Sequence, residues 1–275
     1  MKKKSLMGQM AAAPHIVWSV LFIIAPLIFV AYYALTDAEG KFTFANFGAL
    51  FTAEYLEIFA RSACFAFLAT VICLVIAYPV AYFISKTSQR TQKILIVLVM
   101  LPQWMNFLIR TYSWMAILED TGVINTVLGT VGIGPFHMIN TASAVILGMV
   151  YNFLPYMILP IYTSLSKLDS RYVEAASDLG CNTFGTLWHV VLPLSRSGII
   201  SGITMVFVPS ISTFYISQKL GGGNFDLIGD TIERQFMSAL NFNLGAALSF
   251  VLMILIIVSM TIMNRFGEEE GGVVA

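Results

Sequence analysis

Long apolar stretches alternate with shorter polar ones along the 275-residue chain. A membrane-crossing helix needs about 20 consecutive apolar residues. Six stretches meet that length: Ile16–Leu35, Ser62–Ser85, Ile94–Ser113, Thr141–Leu165, Gly198–Ser217 and Leu244–Asn264. Five contain no Asp, Glu, Lys or Arg, and the third contains Arg110 near its far end. The pattern predicts an all-α integral membrane domain of six spans. The first stretch is too long for a signal-peptide core of about 7–15 residues, carries Pro26 in its middle, and lacks a small-residue cleavage site. It is read as a span.

The longest polar-flanked interruption on the side of the N-terminus is 166–197. It is patterned as two short helices rather than a turn. Asp169 or Ser170 can cap the first, with Tyr172, Ala175, Ala176 and Leu179 at helical spacing and Arg171, Glu174 and Asp178 opposite. Gly180 suits a left-handed C-terminal cap. Asn182 or Thr183 can start the second helix, whose apolar positions are Phe184, Leu187, Trp188 and Val191, and Pro193 ends it. A pair this short needs a surface to lie on. The pattern alone leaves two: a soluble protein, or the lipid headgroups.

Composition agrees with a membrane domain. Only 11% of residues are charged and mean hydropathy is +0.82, where soluble domains carry about a quarter charged residues. The formal net charge of zero gives no case for nucleic acid. Cys64, Cys73 and Cys181 fit neither a disulfide framework nor a zinc spacing.

Basic residues orient the spans. With the N-terminus inside, the inner segments hold ten: Lys2, Lys3, Lys4, Lys86, Arg90, Lys93, Lys167, Arg171, Arg196 and Arg265. The outer side holds five: Lys41, Arg61, Arg110, Lys219 and Arg234. The expectation is N-in and C-in, with 166–197 in the cytoplasm and a frayed, solvated acidic tail from Glu268 on.

Six prolines fall inside the spans: Pro26, Pro79, Pro102, Pro155, Pro160 and Pro209. Each removes a backbone donor, and such breaks persist in bilayers where neighbours satisfy the freed carbonyls. The outer connections are long, and the last opens on Gly221-Gly222-Gly223, too permissive to hold a helix. No G-x-x-x-x-G-K-[ST] occurs, so the chain carries no Walker site for ATP. His15, His137 and His189 lie in separate segments without an H-E-x-x-H, which argues against an integral-membrane enzyme. Internal repeats and intramembrane carboxylates, expected of an ion-coupled transporter, are also lacking from the sequence.

Glu174-Ala175-Ala176, Gly180, Val190, Leu192 and Pro193 fit E-A-A-x3-G-x9-[I/V]-x-L-P. This resembles the EAA motif of permease subunits of binding-protein-dependent ABC importers. Further stretches are similar to the B-type permease of spermidine/putrescine importers: Ala77–Phe83, Leu101–Trp104 with Asn106–Tyr112, Phe207–Pro209 through Phe214-Tyr215 to Gly222, and Asp226–Gly229 to Phe236. The similarity runs from about Ile16 to Arg265, with Trp114, Glu119, Asp120 and the acidic tail unmatched. The resemblance implies the type I ABC importer permease fold. It implies a coupling helix in which Glu174, Ala175, Ala176, Asp178 and Gly180 meet a cytoplasmic ATPase. It implies a heterodimer with a second, C-type permease, two ATPase subunits that use ATP-Mg, and an extracellular or periplasmic substrate-binding protein. No cofactor binds this chain itself. The cargo would be spermidine or putrescine, or otherwise another small solute such as thiamine or iron.

A polyamine path should offer aromatic faces and oxygens to ammonium groups. Trp104, Tyr112, Phe214 and Tyr215 are the candidates, Trp104 and Phe214-Tyr215 because they flank Pro102 and Pro209, and because the resemblance puts path-lining residues there. Tyr112 and Trp114 near a span end can equally be interfacial anchors. Glu119, Asp120, Asp226, Asp230 and Glu233 can draw cations to the outer mouth or remain solvated. Arg110 is expected to snorkel outward or pair with an acid. No carboxylate lies deep in a span, so tight affinity is expected in the external binding protein.

Overall fold

The structure is a computed structural model and describes Pro14–Glu268. The Lys2-Lys3-Lys4 cluster used for orientation, and the tail beyond Glu268, lie outside these residues. The described chain is helical throughout: α1 Pro14–Ala34, α2 Ala45–Ala49, α3 Ala53–Ser85, α4 Gln89–Met100, α5 Phe107–Leu118, α6 Val123–Thr130, α7 Ala142–Ser166, α8 Ser170–Asp178, α9 Thr183–Leu194, α10 Arg196–Ile211, α11 Tyr215–Leu220, α12 Ile228–Met237 and α13 Phe242–Glu268.

Four of these, α1, α3, α7 and α13, are unbroken and apolar over a spanning length. Two further helix pairs reach a spanning length only if each bent pair is taken as one span. The expected third span, Ile94–Ser113, is broken: α4 ends in a 3-10 turn at Leu101–Trp104, and the next helix leaves at 89°. Pro102 lacks a donor, Met105 is extended, and the Asn106 side chain accepts the Leu108 N–H at 2.8 Å to start α5 afresh. The expected fifth span, Gly198–Ser217, also breaks. α10 stops at Ile211, two residues after Pro209, and the Ser212 hydroxyl donates to the Val208 carbonyl at 3.1 Å. α9 and α10 form the second bent pair, at 67°. The second span starts earlier than expected, at Ala53; its 33 residues reach about 50 Å, beyond the ~30 Å of a bilayer core.

Two prolines are passed without a break by the same device. Val20–Ile24 and Leu187–Val191 are π turns, and the residue before each proline donates five back: Ala25 N–H to Val20 O, Leu192 N–H to Leu187 O. The widened turn makes room for the rings of Pro26 and Pro193.

The chain divides into two compact units. One comprises the residues up to Leu56 with Thr231–Leu255. Within it the Asn46 amide donates to Ala34 and Thr36 carbonyls at 3.0 and 2.9 Å, and the Asn243 amide donates to Thr36 O at 2.6 Å. The apolar window of α1 buries no residue within the chain, so its side chains require lipid or another subunit.

The other unit holds Glu57–Asp230 and the end of α13. Its central contact is α7 against α10. Gly198 and Gly202, four apart on α10, lie directly on α7: a Cβ at Gly198 would sit 2.6 Å from Ser164 Cβ and 2.8 Å from Pro160 O, and one at Gly202 2.6 Å from Met157 Sδ. This small-x-x-x-small face brings the two backbones together without a hydrophobic driving force between helices. Cys73, Ala77, Met157, Ile161 and Val206 form the buried cluster around it.

Candidate functional site

Two regions of the second unit carry candidate chemistry: the α8–α9 element, and the aromatic residues at the two breaks.

Asp169 caps α8 through the Arg171 N–H at 3.0 Å, one of the two caps the sequence offered. α8 ends in a Schellman motif. The Cys181 N–H donates to Ala176 O at 3.0 Å, the Gly180 N–H donates to Ser177 O at 2.9 Å, and Gly180 has φ +84°. Asn182 then caps α9 through the Gly185 N–H at 2.7 Å. The two short helices are thereby joined by a turn in which the exposed backbone donors are used.

The expected apolar face of α8 is only partly covered. Ala176 is buried, and Val173 packs with Leu187 and Val191 on the α3–α7–α10 cluster. Tyr172, Ala175 and Leu179 are exposed, Leu179 at 86%. In α9, Phe184 and Trp188 stack at 13° with centroids 6.3 Å apart, yet are 71% and 58% exposed. Glu174, Asp178 and Gly180 are also exposed. Exposed apolar side chains of this kind are candidates for an interaction surface. Where α8 begins, a cavity of about 680 Å³ opens between α7 and α10, lined by Lys167, Asp169, Tyr172, Ser197 and Ser201 among others. At the α9–α10 bend, Ser195 is fully buried and its hydroxyl lies 3.0 Å from Tyr78 Oη of α3.

Of the four path candidates, the structure brings two together. Tyr112 of α5 and Tyr215 of α11 meet edge to face at 6.2 Å, with Phe107 5.9 Å from Tyr215. Trp104 is 76% and Phe214 42% exposed at the two breaks, and neither joins a ring pair among the described residues. Trp114 packs on Tyr151 of α7 at 5.2 Å and is half-buried. Sequence reading placed Lys219 among the outer basic residues and missed its role here. Its Nζ stands 5.6 Å from both tyrosine ring centroids. The signal was available, since Tyr215 and Lys219 are four apart on one helix.

Arg110 is buried and meets no acid among the described residues. It is 6% exposed; its Nη1 donates to Gln103 Oε1 at 3.0 Å, and Gln103 Nε2 donates to Asn152 O at 2.8 Å. The 89° bend folds α5 back so that Arg110 faces Gln103 from across the break, with its guanidinium 6.0 Å from Phe107 and its Nε unpartnered. Asp230 is 3% exposed, and its carboxylate accepts the Leu227 N–H at 2.8 Å. Asp120 pairs with His137 at 2.9 Å on the surface.

Residues 74–268 match the family model for the inner membrane component of binding-protein-dependent transport systems. The spermidine/putrescine transport system permease protein PotB of Haemophilus influenzae is 38% identical over 246 residues, covering 86% of each chain. PotB of Escherichia coli K12 is 37% identical over 245 residues, 86% of this chain and 89% of the relative. A chain of the crystal structure of a bacterial ABC transporter involved in alginate import superposes with a TM-score of 0.81 over 95% of both chains at 15% identity, which establishes the shared fold. The bent spans are thus those of an ABC importer permease, a multi-pass inner-membrane transport component and not an enzyme. The chain belongs to the family of binding-protein-dependent transport system inner membrane components.

Proposed function

We propose that this chain is one of two permease subunits of an ATP-driven polyamine importer. In this reading it pairs with a C-type permease, binds one of two ATPase subunits through α8–α9, and receives spermidine or putrescine from an external binding protein. The observation that carries the coupling role is the exposure of Leu179, Phe184 and Trp188 on the two short helices joined by the Gly180 turn. A helix pair resting on lipid headgroups would carry Lys and Arg on its polar face; α8 carries Glu174 and Asp178 and the single cation Arg171. A soluble partner suits that charge better. The substrate class rests on relatives named for spermidine and putrescine over 86% of the chain, and on tyrosine faces that hold an ammonium.

The proposed mechanism follows from how the element is rooted. ATP-Mg bound by the ATPases closes them and draws the two coupling elements together. α9 continues through the Ser195 bend into α10, and α10 lies backbone-to-backbone on α7 through Gly198 and Gly202. A push on α9 therefore moves α10 and α7 together, while the breaks at Met105–Asn106 and Ser212–Phe214 absorb the dihedral change. The N-terminus and α8–α9 lie on the cytoplasmic side in this account. Radiolabelled spermidine uptake by the reconstituted complex, challenged with putrescine and with thiamine, tests the substrate. Competition by putrescine and not by thiamine is expected; uptake driven by thiamine or another solute instead would move the importer to that cargo.

A further inference from the structure

A lysine in a membrane-embedded importer ordinarily finds a carboxylate or reaches the interface. Among the described residues Lys219 meets no Asp or Glu; its ammonium lies over the rings of Tyr112 and Tyr215, 5.6 Å from each centroid. The two rings come from different helices, α5 and α11, each of which starts at a helix break. Phe107, from the first turn of α5, backs Tyr215 at 5.9 Å. Tyr112 is 45% exposed, so the cage is open on one side.

We propose that Tyr112 and Tyr215 form a binding site for a primary alkylammonium group, and that Lys219 is a tethered ammonium that fills it in the substrate-free state. This rests on the polyamine-path reading and extends it: one end of the diamine or triamine cargo replaces Lys219 on the rings as it passes. Aromatic rings attract a cation through their quadrupole without regard to the rest of the molecule. The chain's own ammonium is therefore evidence of what the cage accepts. An acid in the same place would bind the cargo too well to release it, whereas an exchange between two ammonium groups is nearly balanced. The tether also keeps the cage from taking up stray cations. Any apparent affinity is reduced by the fraction of time that Lys219 leaves the site free. Two half-exposed ring contacts hold it there by about five- to thirty-fold over release (about 1–2 kcal/mol).

The assembled importer in nanodiscs, with its binding protein omitted, supplies the test. Reductive ¹³C-methylation keeps the lysine charge, and the Lys219 signal is assigned by its loss in Lys219→Arg. That signal is expected upfield of exposed lysines, because it lies over two rings, and to move to the exposed position on titration with n-butylammonium. In parallel, Lys219→Met should tighten equilibrium spermidine binding by about five- to thirty-fold. Lys219→Arg, which keeps a cation over the rings, should stay near the parent value, and adding Tyr112→Leu to Lys219→Met should remove the gain. A Lys219 signal that starts at the exposed position, or is unmoved by n-butylammonium, overturns the site. So does a folded Lys219→Met complex whose spermidine affinity is unchanged, since the lysine would then only staple α11 to α5. If n-butylammonium moves the signal while spermidine is neither bound nor imported, the ammonium site stands and the polyamine reading falls.

Discussion

Gly180→Ala isolates the conformational part of the coupling turn. Gly180 stands at φ +84°, and a Cβ built there has nothing within 4 Å. Alanine therefore costs no packing; its penalty is that of a left-handed L-residue, about 1–2 kcal/mol. The Schellman bonds from Cys181 and Gly180 at 3.0 and 2.9 Å hold α9 at a fixed angle to α8 only while that dihedral is kept. The variant should shift the turn toward open conformations by about 5- to 30-fold. The affinity of the ATPase subunit for the permease should fall by up to that factor, measured by titrating labelled ATPase against the permease in nanodiscs. Gly180→Pro removes the Gly180 N–H as well and imposes φ near −65°, so ATPase co-purification and ATP-driven uptake should be lost. Membrane level and thermal midpoint should stay at the parent values, because the α7–α10 core does not include Gly180. Parent-like ATPase affinity and uptake in Gly180→Pro would refute the reasoning.

Other variants separate surface from core. Phe184→Ala with Trp188→Ala removes two exposed rings, so stability should change by less than about 0.5 kcal/mol, while ATPase affinity should drop at least about tenfold, as for exposed aromatic anchors; an equal loss in thermal midpoint would show the stack to be structural. Gly198→Ala meets the Pro160 carbonyl and Ile161 Cα, which cannot move away, whereas Gly202→Ala meets first the flexible Met157 Sδ. The former should lower the thermal midpoint in detergent more, by the equivalent of about 1–3 kcal/mol, and the reverse order would contradict the backbone contact. Gln103→Leu leaves Arg110 buried with its one hydrogen bond removed and should cost about 1.5–3 kcal/mol. Arg110→Met removes the charge with the need for a partner and should cost less in the same denaturation assay.

The helices were legible because lipid demands unbroken apolar length, and α1, α3, α7 and α13 run as or beyond the stretches predicted. The breaks were not, because proline alone does not decide them. α7 carries Pro155 and Pro160 and continues for 25 residues. The spans at Pro102 and Pro209 end because Asn106 and Ser212 offer side-chain bonds that satisfy a new helix start and a freed carbonyl. In α8 the helical period grouped Tyr172, Ala175, Ala176 and Leu179, but the chain itself covers Val173 and Ala176 and leaves the other three exposed, because a period cannot say which side packs on the chain. Arg110 was misjudged because its partner, Gln103 across a bend, is a neutral group, and charge patterns in a sequence reveal only charged partners. The contact of Lys219 with two tyrosine rings was invisible for the same reason.

The central claim, that the Gly180 turn is the cytoplasmic seat of an ATPase subunit, is tested most directly by photo-crosslinking. A benzophenone amino acid is placed at Leu179, 86% exposed beside the turn, and separately at Val131, 70% exposed in the connection between α6 and α7. With the assembled importer in membranes, irradiation should join position 179 to the ATPase and leave position 131 free of it. An ATPase adduct at 131 with none at 179 would contradict both the coupling surface and the orientation of the chain.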